Sequence, residues 1–236
     1  PYNARNHEYY SEDAVLTSGQ AVAFISGGKE YGVIIAPKHL AFNDTEINRT
    51  GVSVFMTEQQ ARENELRGTQ AAIEDAGALG VMTAFNRVGI TATNAHTGLL
   101  KNILRGEWGF KGLESQDFIM NPNYAVLKEY ALNGGTMTTF TGENTMAAVS
   151  EKFAYWTTEN VGQDTELMSA IKQAMTWQAY ALANSNALDG MASSTRLVSV
   201  RTWYDNALVA VQVVFAALTV LAAAMYVLND RKSKKQ

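Results

Sequence analysis

Short apolar runs rich in β-branched residues alternate with longer helical patterns, and this alternation limits the chain to few folds. Residues 32–37 (GVIIAP) form one such run, bounded by Gly and Pro, and residues 79–85 (LGVMTAF) form a second. Runs that are apolar throughout mark strands buried on both faces. A mildly amphipathic helix is expected before the first run, over 18–29, and a polar loop after it, over 38–50. Thr57 caps a helix that should run to Gly77, and a further helix is expected over 97–106. A strand ending at Asp117 comes next, then a helix over 123–133, a weak strand over 136–140 and a last helix over 165–185. Strands separated by helices pair in parallel through right-handed crossovers, which makes the chain α/β. Four such units are half of an eight-stranded (β/α) barrel of the TIM type, and an open doubly wound sheet is the rival. No glycine-rich phosphate loop follows any of these strands, so the nucleotide-binding form of that rival lacks support.

The C-terminal region obeys a different constraint. Residues 207–228 (ALVAVQVVFAALTVLAAAMYVL) are interrupted only by Gln212 and Thr219, and about 20 apolar residues cross a bilayer. Trp203 and Tyr204 precede the run and Tyr226 lies near its end, where interfacial aromatics belong. Arg231, Lys232, Lys234 and Lys235 follow, against Arg196 and Arg201 on the near side. The expectation is a partial catalytic domain over 1–188, a tether over 189–203, a single transmembrane helix over 204–229 and a basic tail over 230–236. The positive-inside bias puts the tail in the cytoplasm and the rest outside, a single-pass protein with the lipid bilayer as partner. A buried core helix is the alternative, but it would need no basic stop. The N-terminus, PYNARNHEYYSED, has no charged region followed by an apolar run and is no signal peptide. Its abrupt polar and aromatic start reads as a piece cut from something longer.

Composition narrows the chemistry. A net charge of -4 over 236 residues, with basic residues scattered except at the end, gives no reason to expect nucleic acid as a partner. The absence of cysteine excludes disulfides and thiolate metal sites. His7, His39 and His96 are too dispersed to argue a metal site.

Asp117 is the first candidate for chemistry, because a carboxylate at the C-terminal end of a parallel strand faces an open cleft. The alternative is a surface or helix-capping acid ahead of Asn121 and Pro122. Four words, none decisive alone, bear on the comparison. RNHEYYSED, KHLAFNDTEINR, VMTAFNR and LLKNILRGEWGFKG occur in this order, and together they resemble glycoside hydrolase family 3, the exo-acting β-glycosidases, from about Arg5 to Asn186. The resemblance implies that the chain is the second half of a (β/α)8 barrel, followed by a membrane helix as in the branch with inverted domain order. It implies that Asp117 is the nucleophile of a retaining glycosidase. Lys38 and His39 would then bind sugar hydroxyls, Arg5 would contact the sugar, and Met82 would form an apolar wall. Without the resemblance these read as a solvated strand end, a surface arginine and a core methionine. The substrate implied is a terminal sugar of an oligosaccharide or glycoside, with no metal or organic cofactor. The preceding barrel half and the α/β sandwich domain carrying the acid/base glutamate would be partners supplied from outside this chain, which alone should be inactive. Phe85 stands where relatives often have tyrosine. Glu46 and Arg49 should hold the loop after Lys38 as an ion pair, and Trp108 and Phe110 should pack the turn before the last strand.

That strand is the least family-like part of the chain. In LESQD, alternation turns Leu113, Ser115 and Asp117 toward the barrel axis and Glu114 and Gln116 toward the helix layer. A buried unpaired carboxylate costs several kcal/mol, so Glu114 must be paired, protonated or exposed. Its presence motivates a second reading, a catalytically degenerate, membrane-tethered carbohydrate-binding or scaffold protein.

Overall fold

The computed structural model describes residues 4–118, 126–139, 156–191, 195–196, 198 and 200–234. The chain divides into two units, Pro1–Gly190 and Met191–Gln236.

In the first unit, helix α1 (Ala14–Glu30) starts where Asp13 accepts a hydrogen bond from the backbone N–H of Leu16 at 2.7 Å, an N-cap that satisfies one orphan donor. Strand β1 is Lys38–Leu40, followed by the two-residue strand β2, Ser53–Val54. Thr57 caps the next helix as expected, accepting from the N–H of Gln60 at 3.2 Å. This helix begins as α2 (Glu58–Gln60), widens through a π-helical turn at Ala61–Glu65 and continues as α3 (Arg67–Glu74). It ends at Gly77, whose φ of +65° is the left-handed conformation glycine tolerates best. Helices α1 and α3 pack closely at Gly68, where a Cβ would stand 2.5 Å from Thr17 Cγ2.

Strand β3 (Gly80–Thr83) lies between β1 and β6 (Leu113–Gln116) in a parallel sheet of order β1-β3-β6. Lys38 pairs with Met82, and Met82 with Ser115. The weak strand expected over 136–140 contributes one parallel bridge, Ser115 to Met137; Phe140 lies outside the described residues. A second, small sheet joins β2 to β4 (Arg87–Val88), and β4 pairs with β5 (Thr91–Ala92). The helix expected over 97–106 is π-helical, Gly98–Glu107. After β6 come α4 (Leu127–Leu132), α5 (Thr158–Gln163) and α6 (Thr165–Ala183); the expected start of α4 at 123 lies outside the described residues. The core joins Ala21 and Ile25 of α1, Leu40, Val81, Leu100, Leu104, Phe110 and Tyr130.

The apolar run at 32–37 departs from expectation. The paired strand begins only at Lys38, so Lys38 and His39 stand within a strand rather than in the loop beyond it. Ile34 and Ile35 are half-buried, not buried. Pro37 has no N–H for a ladder, although its carbonyl accepts from the N–H of Met82 at 3.1 Å.

The turn into β6 is held by Arg105. Its guanidinium donates to the carbonyls of Phe110 and Gly112, both at 2.9 Å, and of Gly134, at 2.7 and 3.1 Å. It also stacks on Trp177 and Phe110, 3.8 and 4.8 Å from the ring centroids. Trp108 and Phe110 are buried there, as packing residues. Burial lowers the Arg105 pKa to about 10, against the pull of Glu114 and Tyr130.

In the second unit, helix α7 is Trp203–Ser233. Asp205 closes its first turn, accepting from the N–H and hydroxyl of Thr202 at 2.7 and 2.6 Å. Trp203–Leu228 is long and apolar enough to cross a membrane, by length and composition.

Candidate active site

The C-terminal ends of β1, β3 and β6 bring Asp117, His39 and Met82 to one edge of the sheet. The backbone N–H of Asp117 donates to the carbonyl of Thr83 at 3.2 Å, which extends the β3-β6 pairing to the carboxylate. Its Oδ2 lies 3.2 Å from His39 Nε2, with both side chains almost fully buried, at 8% and 1% exposed. That contact is off the ideal N–H line, so it is an electrostatic approach more than an aligned hydrogen bond. Oδ1 accepts the N–H of Phe118 at 2.8 Å, and Arg49 Nη1 stands 4.0 Å from Oδ2. Burial alone would raise the Asp117 pKa, but His39, the Phe118 N–H and Arg49 together outweigh it and hold the carboxyl below its ordinary 3.8. The result is a carboxylate kept ionised in a largely dry site, as a nucleophile requires.

A second layer supports His39. Tyr9 Oη lies 2.5 Å from His39 Nδ1, and Asn43 Nδ2 donates to Tyr9 Oη and to Glu46 Oε1, each at 3.0 Å. Glu46 Oε2 holds Arg49 at 3.0 Å, the ion pair expected from the sequence. Arg49 does more than hold the loop, because its guanidinium also faces Asp117 and lies over the Phe85 ring, 4.5 Å from the centroid.

Lys38 and Arg5 converge elsewhere. Both engage Glu8, Lys38 Nζ at 2.7 Å and Arg5 at 2.5 and 2.7 Å, and Arg5 also approaches Glu46 at 3.4 Å. The two cations hold the Glu8 carboxyl far below its usual range through hydrogen bonds, chiefly that from Arg5. Met82 is half-buried, on the same sheet face as Ser115 and Asp117 by strand alternation. A cavity of about 560 Å³ is lined by Glu8, Tyr9, Lys38, His39 and Asn43, and neither Asp117 nor Met82 belongs to its lining.

Reasoning from the sequence passed over Tyr9, Glu8 and Asn43 as site residues and gave Arg49 only a loop-holding part. All four lie inside the words RNHEYYSED and KHLAFNDTEINR. The usable signal was the density of polar and aromatic residues in segments flanking a buried run.

Behind the site, Glu114 is fully buried. The Tyr130 hydroxyl donates to the backbone carbonyls of Glu114 and Met137, both at 2.8 Å. The Glu114 carboxyl oxygens have no hydrogen-bond partner among the described residues. Burial pushes this carboxyl up to about 7, and Tyr130 and Arg105 offset the burial only in part. Gln116, also turned to the helix layer, accepts from Asn94 Nδ2 at 2.7 Å.

The chain is similar in sequence and in fold to several β-glucosidases. The chain is 39% identical over 118 residues to the probable β-glucosidase J of Emericella nidulans, covering 50% of this chain and 14% of that protein. It is 40% identical over 116 residues to a β-glucosidase of Rhizobium radiobacter, covering 49% and 14%. The chain thus spans about one seventh of the length of these curated relatives. Among solved structures, β-glucosidase 3B from Thermotoga neapolitana in complex with glucose superposes with a TM-score of 0.68 at 28% identity, covering 79% of this chain and 26% of that one. Residues 1–154 match the model of the glycosyl hydrolase family 3 N-terminal domain, and the chain belongs to that family.

Proposed function

We propose that this chain supplies the nucleophile side of a membrane-anchored, retaining exo-β-glycosidase acting on terminal sugars of oligosaccharides or glycosides. The observation that carries the reading is Asp117: a carboxylate at the end of a parallel strand, buried, yet held ionised by His39, the Phe118 N–H and Arg49. In the reaction Asp117 attacks the anomeric carbon and forms a glycosyl ester. A second carboxyl, about 5 Å away, protonates the departing oxygen and then activates the water that releases the sugar. That acid/base glutamate comes from outside this chain, from an α/β sandwich domain, and a preceding barrel half completes the wall around the sugar. Coverage of only 14% of the curated relatives supports such an arrangement. On this reading the isolated chain does not turn over. Lys38 and Arg49 bind hydroxyls of the sugar and Met82 provides an apolar wall, whereas His39, expected from the sequence to bind the sugar, has both ring nitrogens turned to Tyr9 and Asp117 and acts on the carboxylate instead. Arg5 acts through Glu8 and Glu46.

The apolar helix Trp203–Leu228, with Arg231, Lys232, Lys234 and Lys235 after it, supports a single-pass anchor. The tail lies in the cytoplasm and the catalytic part lies outside the cell membrane.

A 2-deoxy-2-fluoro-β-glucoside added to a turnover-competent protein carrying this chain should label the peptide containing Asp117, read by mass spectrometry. A label on another carboxylate, or turnover without any label, would sink the assignment.

A second reading has its own observation. Glu114, buried in the strand that leads to Asp117 and without a hydrogen-bond partner for its carboxyl among the described residues, favours a sugar-binding scaffold that has lost turnover. Sugar binding by the complete protein, without hydrolysis under any condition, would support it.

A further inference from the structure

Asp117, His39, Tyr9, Asn43, Glu46 and Arg49 form a closed polar circuit around the strand ends. The contacts run 3.2, 2.5, 3.0, 3.0, 3.0 and 4.0 Å in that order. The direction of its hydrogen bonds follows from donor inventory. The Glu46 carboxylate only accepts, so the Asn43 atom facing it is the amide nitrogen. The same nitrogen faces Tyr9, so the phenol oxygen accepts there. Among the described residues His39 Nδ1 is the other hydrogen-bond neighbour of the phenol, so donation of the phenol hydrogen to Nδ1 satisfies both groups and makes Nδ1 the acceptor. In the neutral imidazole the ring proton then sits on Nε2, the nitrogen nearer Asp117.

We propose that Tyr9 is a positioning residue for Asp117, locking His39 as the Nε2–H tautomer, whose protonated nitrogen lies 3.2 Å from the carboxylate, off the ideal hydrogen-bond line. The proposal rests on the reading of Asp117 as nucleophile only for its effect on turnover; the tautomer itself does not depend on it. His39 has little freedom to choose otherwise. Its side chain is 1% exposed, and the Tyr9 ring packs against it at a centroid distance of 5.9 Å. In the reversed tautomer a lone pair on Nε2 would face the carboxylate. Asp117 would then lose the contact that contributes most to keeping it ionised against burial.

The test uses the whole chain labelled with ¹⁵N-histidine, in detergent or nanodiscs. Only three imidazoles contribute to the long-range ¹H–¹⁵N spectrum, and His39→Gln assigns one of them. His39 should show an acceptor-type Nδ1 and a protonated Nε2. Tyr9→Phe, which keeps the ring, should convert it to the Nδ1–H form or a mixture. His96 Nδ1 accepts the N–H of Leu99 at 3.0 Å, so its unchanged signature certifies the fold of the variant. In a turnover-competent protein carrying this chain, Tyr9→Phe should lower kcat roughly tenfold with a smaller change in KM, since one hydrogen bond supporting a charged group is lost. The acid limb of its pH profile should move to higher pH. A His39 tautomer unaffected by Tyr9→Phe would overturn the proposal, whatever Asp117 does. Hydrolysis surviving Asp117→Ala would overturn the nucleophile reading instead, and leave the tautomer result standing.

Discussion

His39 belongs to β1 and Asp117 follows β6, strands separated by β3 in the sheet, yet Nε2 and Oδ2 meet at 3.2 Å. The contact spans the strand order, with His39 inside β1 and Asp117 just past the end of β6. It ties the ionisation of Asp117 to a residue 78 positions earlier in the chain (117 minus 39).

Removing the imidazole should therefore change the pH response of Asp117. Its folded pKa lies below the ordinary 3.8, so its contribution to stability is fully present above that value and is lost as pH falls through the folded pKa. In His39→Phe the depression should weaken, and the acid limb of activity and of stability should both move to higher pH. A ¹³C titration of the Asp117 carboxyl measures this directly; an unmoved midpoint would refute the coupling.

Glu114 has the opposite sign. Its pKa rises from 4.5 to about 7 on folding, so the folded state binds the proton more tightly than the unfolded one. The stability this supplies is complete below pH 4.5 and is lost as pH rises toward 7. Glu114→Gln, neutral at every pH, should stabilise the protein by about 3 kcal/mol above pH 7, with the difference shrinking to zero below pH 4.5. Urea titrations at pH 4, 6 and 8 give the comparison, and a constant difference across the three would refute the assignment.

Arg105 should not tolerate its nearest relative. Lysine keeps the charge but cannot reach the carbonyls of Phe110, Gly112 and Gly134 together or lie flat on Trp177. Arg105→Lys should cost about 3 kcal/mol, since buried acceptors would be left unsatisfied. The midpoint of denaturant unfolding measures it, and a loss below about 1 kcal/mol would show that the clamp is dispensable.

The apolar helix makes a prediction of its own. If Trp203–Leu228 spans a bilayer, Val214→Arg combined with Leu218→Arg places two charges near its centre, at about 3 kcal/mol each on insertion scales. Carbonate extraction should move the double variant from the membrane pellet to the supernatant. An unsubstituted protein that is itself released by carbonate would refute the anchor.

The sequence by itself was enough for the α/β pattern, for most of the helices though not Thr158–Gln163, for the cap at Thr57, the stop at Gly77 and the apolar C-terminal helix. Each depends on local spacing, capping or composition, which act over a few residues. Position at a strand end singled out Asp117 as a candidate, whereas Lys38 and His39 became candidates only through the resemblance of the words around them. Tertiary structure decided the rest. The first strand pairs at Lys38–Leu40 rather than over the apolar run, because a ladder needs a neighbour with matching register and not only apolar side chains. Lys38 and Arg5 close on Glu8, whereas Arg49 turns to Asp117. A long cation takes the carboxylate that lies within its reach once the strands are side by side. The state of Glu114 was undecidable from its letter alone. Alternation turned it inward, and only the close packing around it shows a carboxyl sealed from water, with its pKa moved to about 7.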